Sequence, residues 1–465
     1  MPVTFPKILR RSLLWLIILL GLWAVGRLVQ VSYTSLYGGE RGPYLQNVGE
    51  TAVTIRWETI NSEIGVLRYG SDPEMLHREV RSTGDEEDHE LRVTGLIPAT
   101  RYYYSIGTPE AVWQGGDDYW FVTPPAAGTE TPVRFWVIGD QGLPGPHQDA
   151  VTHAARNWLE EHRRPGRPLL DLWLTTGDNA YRSGSNPQFQ AALFEPYADL
   201  LRNVPIWPVY GNHDARRWAF FNIFTFPEDG EAGGVPSGTE EYFAFEFAQV
   251  HFVILNSSTG DLDQGSDMLN WLQADLAATA QHWIIVLLHH PPYSKGTHNS
   301  DDRGDSDGRI IKVRENVVPL LEDAGVDLLL AGHSHMYERS YLLDGHYGMS
   351  DTLTDDMILD RGNGDPRGSG PYRKATWPRA PREGIVYIVV GSSSKLDEGP
   401  LDHPVMVAPR KEMGSLIVDI DGARLDAVFI NEAGEESDRF AIVKGVTEGP
   451  QGSGGLTVIK ERTGN

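Results

Sequence analysis

The 465-residue sequence predicts an all-β sandwich followed by an α/β domain with a layered β-sheet core flanked by helices. Three observations carry that expectation. Short alternating segments crowd residues 38–126, each bounded by turn residues. After a Pro- and Gly-bearing linker, continuous apolar segments alternate with helical spacing over residues 130–445. Five of those apolar segments end on Asp, Asn or His.

Taken in order, the chain opens with Lys7, Arg10 and Arg11 ahead of an uncharged apolar run from Leu13 to Gly26. A basic stretch before a short apolar one is the pattern of a secretory signal. Ala24-Val25-Gly26 offers a cleavage point, while Leu28, Val29 and Val31 continue the run past Arg27. Residues 1–36 therefore read as a signal peptide or as an uncleaved membrane anchor through residues 12–31. Either way the protein is expected to be exported, periplasmic or extracellular. Strands are expected at 51–57, 65–69, 91–96, 102–106 and 119–122, making an antiparallel sandwich over 38–126. Pro124, Pro125 and Gly128 mark the linker. Strands then fall at 133–139, 172–176, 206–210, 283–288 and 326–330, and helices at 147–162, 188–201, 266–280 and 312–324. Late strands at 384–390, 414–420 and 423–430 complete the second domain. Residues 345–383, rich in Gly, Asp and Pro, read as an irregular insertion, and 446–465 as a flexible tail.

Composition removes several functions. Forty Lys+Arg against sixty-four Asp+Glu give a net charge of −24. So acidic a surface repels phosphate backbones, which argues against a nucleic-acid coating role. It repels small anions too, unless some local positive charge captures them. Cysteine is absent, so disulfides, thiolate metal sites and thiol catalysis are excluded. Any metal must rest on His, Asp, Glu, Asn, Tyr or backbone oxygen.

The apolar segments deliver Asp140, then Asp178 and Tyr181, then Asn212, then His289, then His333 and His335 to their C-terminal ends. Ligands gather at that edge in open α/β sheets. Singly, an Asp or Asn beside Gly after a strand is turn chemistry. Together, two Asp and three His at apolar margins need pairing, and a dinuclear metal centre supplies it.

The series Gly139-Asp140-x-Gly142, Gly177-Asp178-x-x-Tyr181, Gly211-Asn212-His213-Asp214, Val286-x-x-His289 and Gly332-His333-x-His335 resembles the five motifs of the purple acid phosphatases, a branch of the calcineurin-like metallophosphoesterases. Residues 96–104 are similar to a strand corner of fibronectin type III domains, and the plant-like members carry such a domain opening near Gly42-Pro43-Tyr44-Leu45-Gln46. Most relatives in the superfamily begin Asp-x-His, whereas Gly142 stands in the place of that His and Tyr181 is the added donor. A phenolate is a hard anion that favours a trivalent ion. The resemblance thus implies Fe(III) held by Asp140, Tyr181 and His335, with Asp178 bridging. Asn212, His289 and His333 would hold a divalent ion, Fe, Zn or Mn.

By the same resemblance the protein is a dinuclear-metal hydrolase of phosphate monoesters, an acid phosphatase working by attack of a metal-bound hydroxide. Its partner is a small-molecule phosphate ester; the sequence leaves the oligomeric state open. Proton donation to the leaving group falls to His213, beside Asn212, or to His298, one of a downstream pair whose second position is Asn299 here. His290, next to a ligand, is a weaker candidate. Other readings keep the metals for a phosphodiester, nucleotide or pyrophosphate, make the sandwich the working part of a surface binding protein, or use the iron for peroxide chemistry. The acidic run from Asp301 to Asp307 reads as a solvated loop. Tyr337, Glu338 and Arg339 read as supports for the ligands before them, and Trp377 as a residue that could border the substrate mouth.

Overall fold

The computed structural model describes residues 41–445. The signal or anchor expected over 1–36 and the tail over 446–465 lie outside the described residues. Six strands form the N-terminal unit: β1 (Arg41–Gly49), β2 (Ala52–Gly70), β3 (Arg78–Thr94), β4 (Arg101–Gly107), β5 (Val112–Gln114) and β6 (Trp120–Val122). All their pairings are antiparallel. The first half of β2 pairs with β1 and β3, and its second half with β3 and β4. The sheet thereby folds over a single apolar core that includes Leu45, Ile55, Trp57, Leu67, Tyr104 and Phe121. The sequence reads β2 as two strands because residues between them, Ile60 among them, leave the core for solvent and break the alternation.

This unit is fastened to the second one by its own polar side chains. Tyr44 Oη donates to the Ile223 carbonyl at 2.6 Å, Gln46 Nε2 to that of Ile206 at 2.9 Å, and Tyr104 Oη to that of Arg202 at 2.7 Å. Such bonds satisfy groups that would otherwise be buried unpaired.

The second unit is built on two seven-stranded mixed sheets. One runs β16 (Tyr372–Lys374), β20 (Glu436–Lys444), β19 (Arg424–Asn431), β18 (Gly414–Asp421), β7 (Val133–Ile138), β8 (Leu172–Thr175) and β9 (Ile206–Trp207). The other runs β10 (Phe243–Phe247), β11 (Val250–Ile254), β12 (Trp283–Leu287), β13 (Leu328–Ala331), β17 (Ile385–Val390), β14 (Tyr337–Leu343) and β15 (Ile358–Asp360). Strand β12 shows why its sequence is continuously apolar. Trp283, Ile285 and Leu287 enter the core between the sheets with Phe135, Val137 and Leu416, while Ile284 and Val286 meet an outer layer containing Leu272 and Leu321. A strand buried on both faces has no polar side to alternate. Helix α1 (Pro146–Glu161) adds Ala154 and Trp158 to the first core, and helix α2 (Asp267–Ala278) covers the other sheet. Ser266 opens α2 by accepting from the Leu269 N–H.

Several details depart from expectation. The helix expected over 188–201 is two: Asn186–Phe189 runs straight on into the wider turn Gln190–Phe194, and Ala198–Leu201 follows after a break at Tyr197. The insertion over 345–383 supplies the edge strands β15 and β16. Trp377 packs on His282, ring centroids 4.6 Å apart, at the start of β12 rather than at the end that carries His289. It therefore does not border the site. Among the described residues, no helix is long and apolar enough to cross a membrane.

Candidate metal centre

The C-terminal ends of β7, β8 and β9 in one sheet, and of β12 and β13 in the other, meet at one edge. All seven side chains expected as ligands arrive there, in two subsets. In the first, Tyr181 Oη donates to Asp140 Oδ1 at 3.0 Å and lies 3.1 Å from His335 Nε2, which is 3.4 Å from Asp140 Oδ1. In the second, Asn212 Oδ1 lies 2.9 Å from His289 Nε2 and 3.1 Å from His333 Nδ1, and the two imidazole nitrogens are 3.2 Å apart. Asp178 stands between the subsets, with Oδ1 3.5 Å from His289 Nε2. Donor atoms of Asp140, Asp178 and His289 fall within 4.8 Å of one another.

Backbone geometry concentrates here. Asp140, Asp178 and His333 all have left-handed φ, at 54°, 54° and 69°. Such a conformation costs a side-chain-bearing residue roughly 1–3 kcal/mol and persists where surroundings enforce it. Gly177 (φ 99°) is required because a Cβ there would sit 2.5 Å from His289 Nδ1. A Cβ on Gly211 would collide with the backbone nitrogen and carboxylate of Asp178. The fully buried Asp214 carboxylate ties these loops together by accepting from the N–H groups of Asn179, Ala180 and Gly211. Burial and the neighbouring Asp178 push its acid up to about 7.

The outer partners fix which nitrogen of each histidine faces the centre. His289 Nδ1–H donates to the Thr176 carbonyl at 2.8 Å, so Nε2 is the atom that faces the centre. His335 Nδ1–H donates to Asp397 Oδ2 at 2.6 Å, again leaving Nε2 inward. His333 engages Ser306 Oγ through Nε2 at 2.7 Å and turns Nδ1 inward. The second subset therefore aims three lone pairs, from His289, His333 and Asn212, at one another with no hydrogen between them. A cation at their focus would satisfy all three at once, so the donors fit a metal pair. Burial, then the neighbouring imidazoles, holds His333 well below the usual histidine range, which keeps it neutral and able to ligate. Burial, with Asp140 and Asp178 adding to it, raises the Tyr181 phenol well above its ordinary range. It becomes a phenolate there only against a strongly Lewis-acidic ion.

The two expected proton donors flank the pair. His213 is half-buried beside Tyr181, with Nδ1–H donating to the Arg182 carbonyl at 2.9 Å. Its Nε2 lies 3.8 Å from Asp178 Oδ2 and 3.3 Å from an Arg216 Nη. Burial lowers its pKa. His298 stacks on His333, ring centroids 3.8 Å apart, and donates from Nδ1 to Asp305 Oδ1 at 2.7 Å. His290 is buried behind the ligands against Ser257 Oγ, and burial takes it well below the usual histidine range.

Four supports escape the sequence reading. Asp397 lies far along the chain with no motif around it, and Asp214 reads as the end of the Asn212 motif. Asp305 and Ser306 sit inside the acidic run that reads as solvated; the run's monotony hides them. Of the expected supports, Glu338 accepts from Ser294 Oγ and the Lys295 N–H in the loop leading to His298. Tyr337 and Arg339 instead bind Asp438, away from the ligands.

Fold and site together define a calcineurin-like metallophosphoesterase preceded by a strand-rich domain. Residues 133–337 match the model of the calcineurin-like phosphoesterases, and residues 41–123 that of the purple acid phosphatase N-terminal domain. Purple acid phosphatase 22 of Arabidopsis thaliana is 31% identical over 261 residues, 54% of this chain and 53% of its own length. Purple acid phosphatase 1 of Ipomoea batatas is 28% identical over 271 residues, 54% and 51% of the two chains. The chain thus spans about half the length of these curated relatives. A purple acid phosphatase from yellow lupin (Lupinus luteus) seeds shares the fold at a TM-score of 0.66 and 17% identity, over 87% of this chain and 75% of that one. The two matched segments, one to the purple acid phosphatase N-terminal domain and one to the calcineurin-like phosphoesterases, follow one another in this chain, and the curated relatives it resembles are purple acid phosphatases.

Proposed function

We propose that the protein is an exported acid phosphatase that cleaves phosphate monoesters at a dinuclear metal centre. The observation that carries this reading is the convergence of seven donors into two subsets sharing Asp178. Asp140, Tyr181 and His335 would hold Fe(III), and Asn212, His289 and His333 a divalent Fe, Zn or Mn. The bound pair would neutralise phosphoryl charge and lower the pKa of a bound water, which an acidic chain needs in order to capture and hydrolyse an anion.

The chain's residues supply the rest. The carbonyl of Thr176 and the Asp397 carboxylate aim the ligand nitrogens. His213 borders the first subset and orients the incoming ester together with Arg216. His298, backed by Asp305, gives a proton to the leaving oxygen. The division into leader 1–36, sandwich 38–126, hydrolase 130–445 and tail 446–465 belongs to the same reading, and the two family-model matches, 41–123 and 133–337, support its middle parts. The test compares a phosphate monoester with a bis-ester at mildly acidic pH, with and without a chelator. Chelator-sensitive turnover of the monoester at the higher kcat/KM is expected. Preference for the bis-ester would move the assignment to a phosphodiesterase.

A further inference from the structure

Behind the second subset lies a hydrogen-bonded chain that joins the proton donor His298 and its partner Asp305 to the ligand His333 through Ser306, a residue the reaction so far leaves unused. Ser306 Oγ contacts His333 Nε2 at 2.7 Å and Asp305 Oδ1 at 2.7 Å. Asp305 Oδ1 also accepts from His298 Nδ1–H at 2.7 Å, and Oδ2 from the Asn299 N–H at 2.7 Å. The directions are forced. A carboxylate only accepts, so the single hydroxyl hydrogen of Ser306 goes to Asp305, and the Ser306 oxygen must accept from His333 Nε2–H. His333 is thereby fixed with a bare Nδ1, the atom facing Asn212 and His289. His298 keeps one proton on Nδ1 against Asp305, which leaves Nε2, with no hydrogen-bond partner among the described residues, as the nitrogen whose proton is given up.

The backbone underlines the point. Ser306 and Asp307, neither of them glycine, both take left-handed φ, at 52° and 53°, followed by Gly308 at 76°. Strain of this kind survives where the surroundings over-determine it, and here it places the Ser306 hydroxyl between the two imidazoles. The donor atoms of His298, Asp305 and His333 also lie within 4.8 Å of one another, a spacing that a cation could use. Yet every one of them is already satisfied by the chain, and a cation would strip His333 of the proton that orients it.

We propose that Asp305 and Ser306 are positioning residues which lock the metal ligand His333 and the proton donor His298 into one hydrogen-bonded unit. The inference rests on the proposed phosphatase reading for His298, but not for His333. Asp305 holds the His298 ring against the leaving oxygen, and Ser306 holds the His333 tautomer.

Leaving-group dependence and metal retention test it. Asp305→Asn and Ser306→Ala are compared with the unmodified protein on 2,4-dinitrophenyl phosphate, whose anion departs unprotonated, and on glycerol 2-phosphate, whose alkoxide needs a proton. For Asp305→Asn, kcat on the alkyl ester should fall about tenfold or more beyond any loss on the dinitrophenyl ester, with both ions still bound. For Ser306→Ala, the second ion should be lost to a chelator at about tenfold lower chelator concentration. Equal losses on the two esters, or unchanged chelator resistance, overturn the proposal. A third metal per chain in the unmodified protein that disappears in Asp305→Asn also overturns it, in favour of a cation site. Ser306→Ala removes one hydroxyl and keeps the test decisive if Asp305→Asn does not fold. Should the unmodified protein cleave neither ester, the phosphatase reading fails separately, and the Ser306→Ala chelator result alone judges the relay.

Discussion

The two subsets of the metal centre differ in charge more than in geometry. Asp140, Tyr181 and His335 present a carboxylate, a phenol and an imidazole within 3.0–3.4 Å of one another. Asn212, His289 and His333 present an amide and two imidazoles within 2.9–3.2 Å. The crowding is the same, but one subset can lose a second proton to a hard cation and the other carries no anionic donor of its own. That difference sorts a trivalent ion to the first position and a divalent ion to the second. It also suits Asp178, whose Oδ1 lies 3.5 Å from His289 Nε2, to be the carboxylate that the second subset shares.

The largest effect should come from removing what the subsets share. Asp178→Ala is expected to release both ions and lower kcat/KM by about a thousandfold, corresponding to several kcal/mol of metal-derived stabilisation; metal analysis and steady-state kinetics check it. Retention of both ions would show that the subsets are independent.

Next in size, the outer partner of the anionic subset can be weakened alone. Asp397→Asn should cost about 10–100-fold in affinity for the first ion, while Asn212→Ala should do so for the second. Stepwise removal with a chelator, followed by metal counting, separates the two losses. A common loss in both variants would break the comparison.

The smallest effect contrasts His333, which burial keeps uncharged, with a buried histidine that is charged. His251 is fully buried between Glu246 at 2.8 Å and Asp275 at 2.7 Å. Burial alone would lower its pKa, but the two carboxylates outweigh that and raise it to about 9. Being raised in the folded state, it stabilises fully below pH ~6.5, and that contribution fades as pH rises through about 9. Glu338, raised by burial to about 7, acts in the same direction between its unfolded value and neutrality. Unfolding midpoints measured from pH 5 to 9.5 should therefore decline on the alkaline side. A His251→Gln variant should lose up to about 3 kcal/mol at pH 6 and show a flatter decline.

How far the sequence reveals the molecule depends on how local each signal is. The ligands are legible because each one follows an apolar strand and stands beside a turn, so periodicity and residue type coincide. The elements that carry them are legible for the same reason: β12 and β13 are buried on both faces and read as unbroken apolar runs. The hairpin of β10 and β11 passes unread although Phe243, Phe245 and Phe247 alternate, because it lies between motifs and carries no ligand. The supports are hidden because their meaning is tertiary. Asp397 meets His335 across 62 residues of chain, and Asp305 differs from Asp301 only in what it touches: Asp301 pairs with Lys295 and Ser350, Asp305 with His298. Likewise, the Gly, Asp and Pro of the insertion conceal β15 and β16, strands of three residues each that are held by their neighbours.

The visible absorption spectrum of the purified protein, taken together with its metal content and repeated on Tyr181→Phe, tests the central claim most directly. A tyrosinate-to-iron band with two metals per chain, absent in Tyr181→Phe, is the expected result. A colourless protein holding two zinc or manganese ions after expression with iron available would contradict the assignment of a ferric ion to Asp140, Tyr181 and His335.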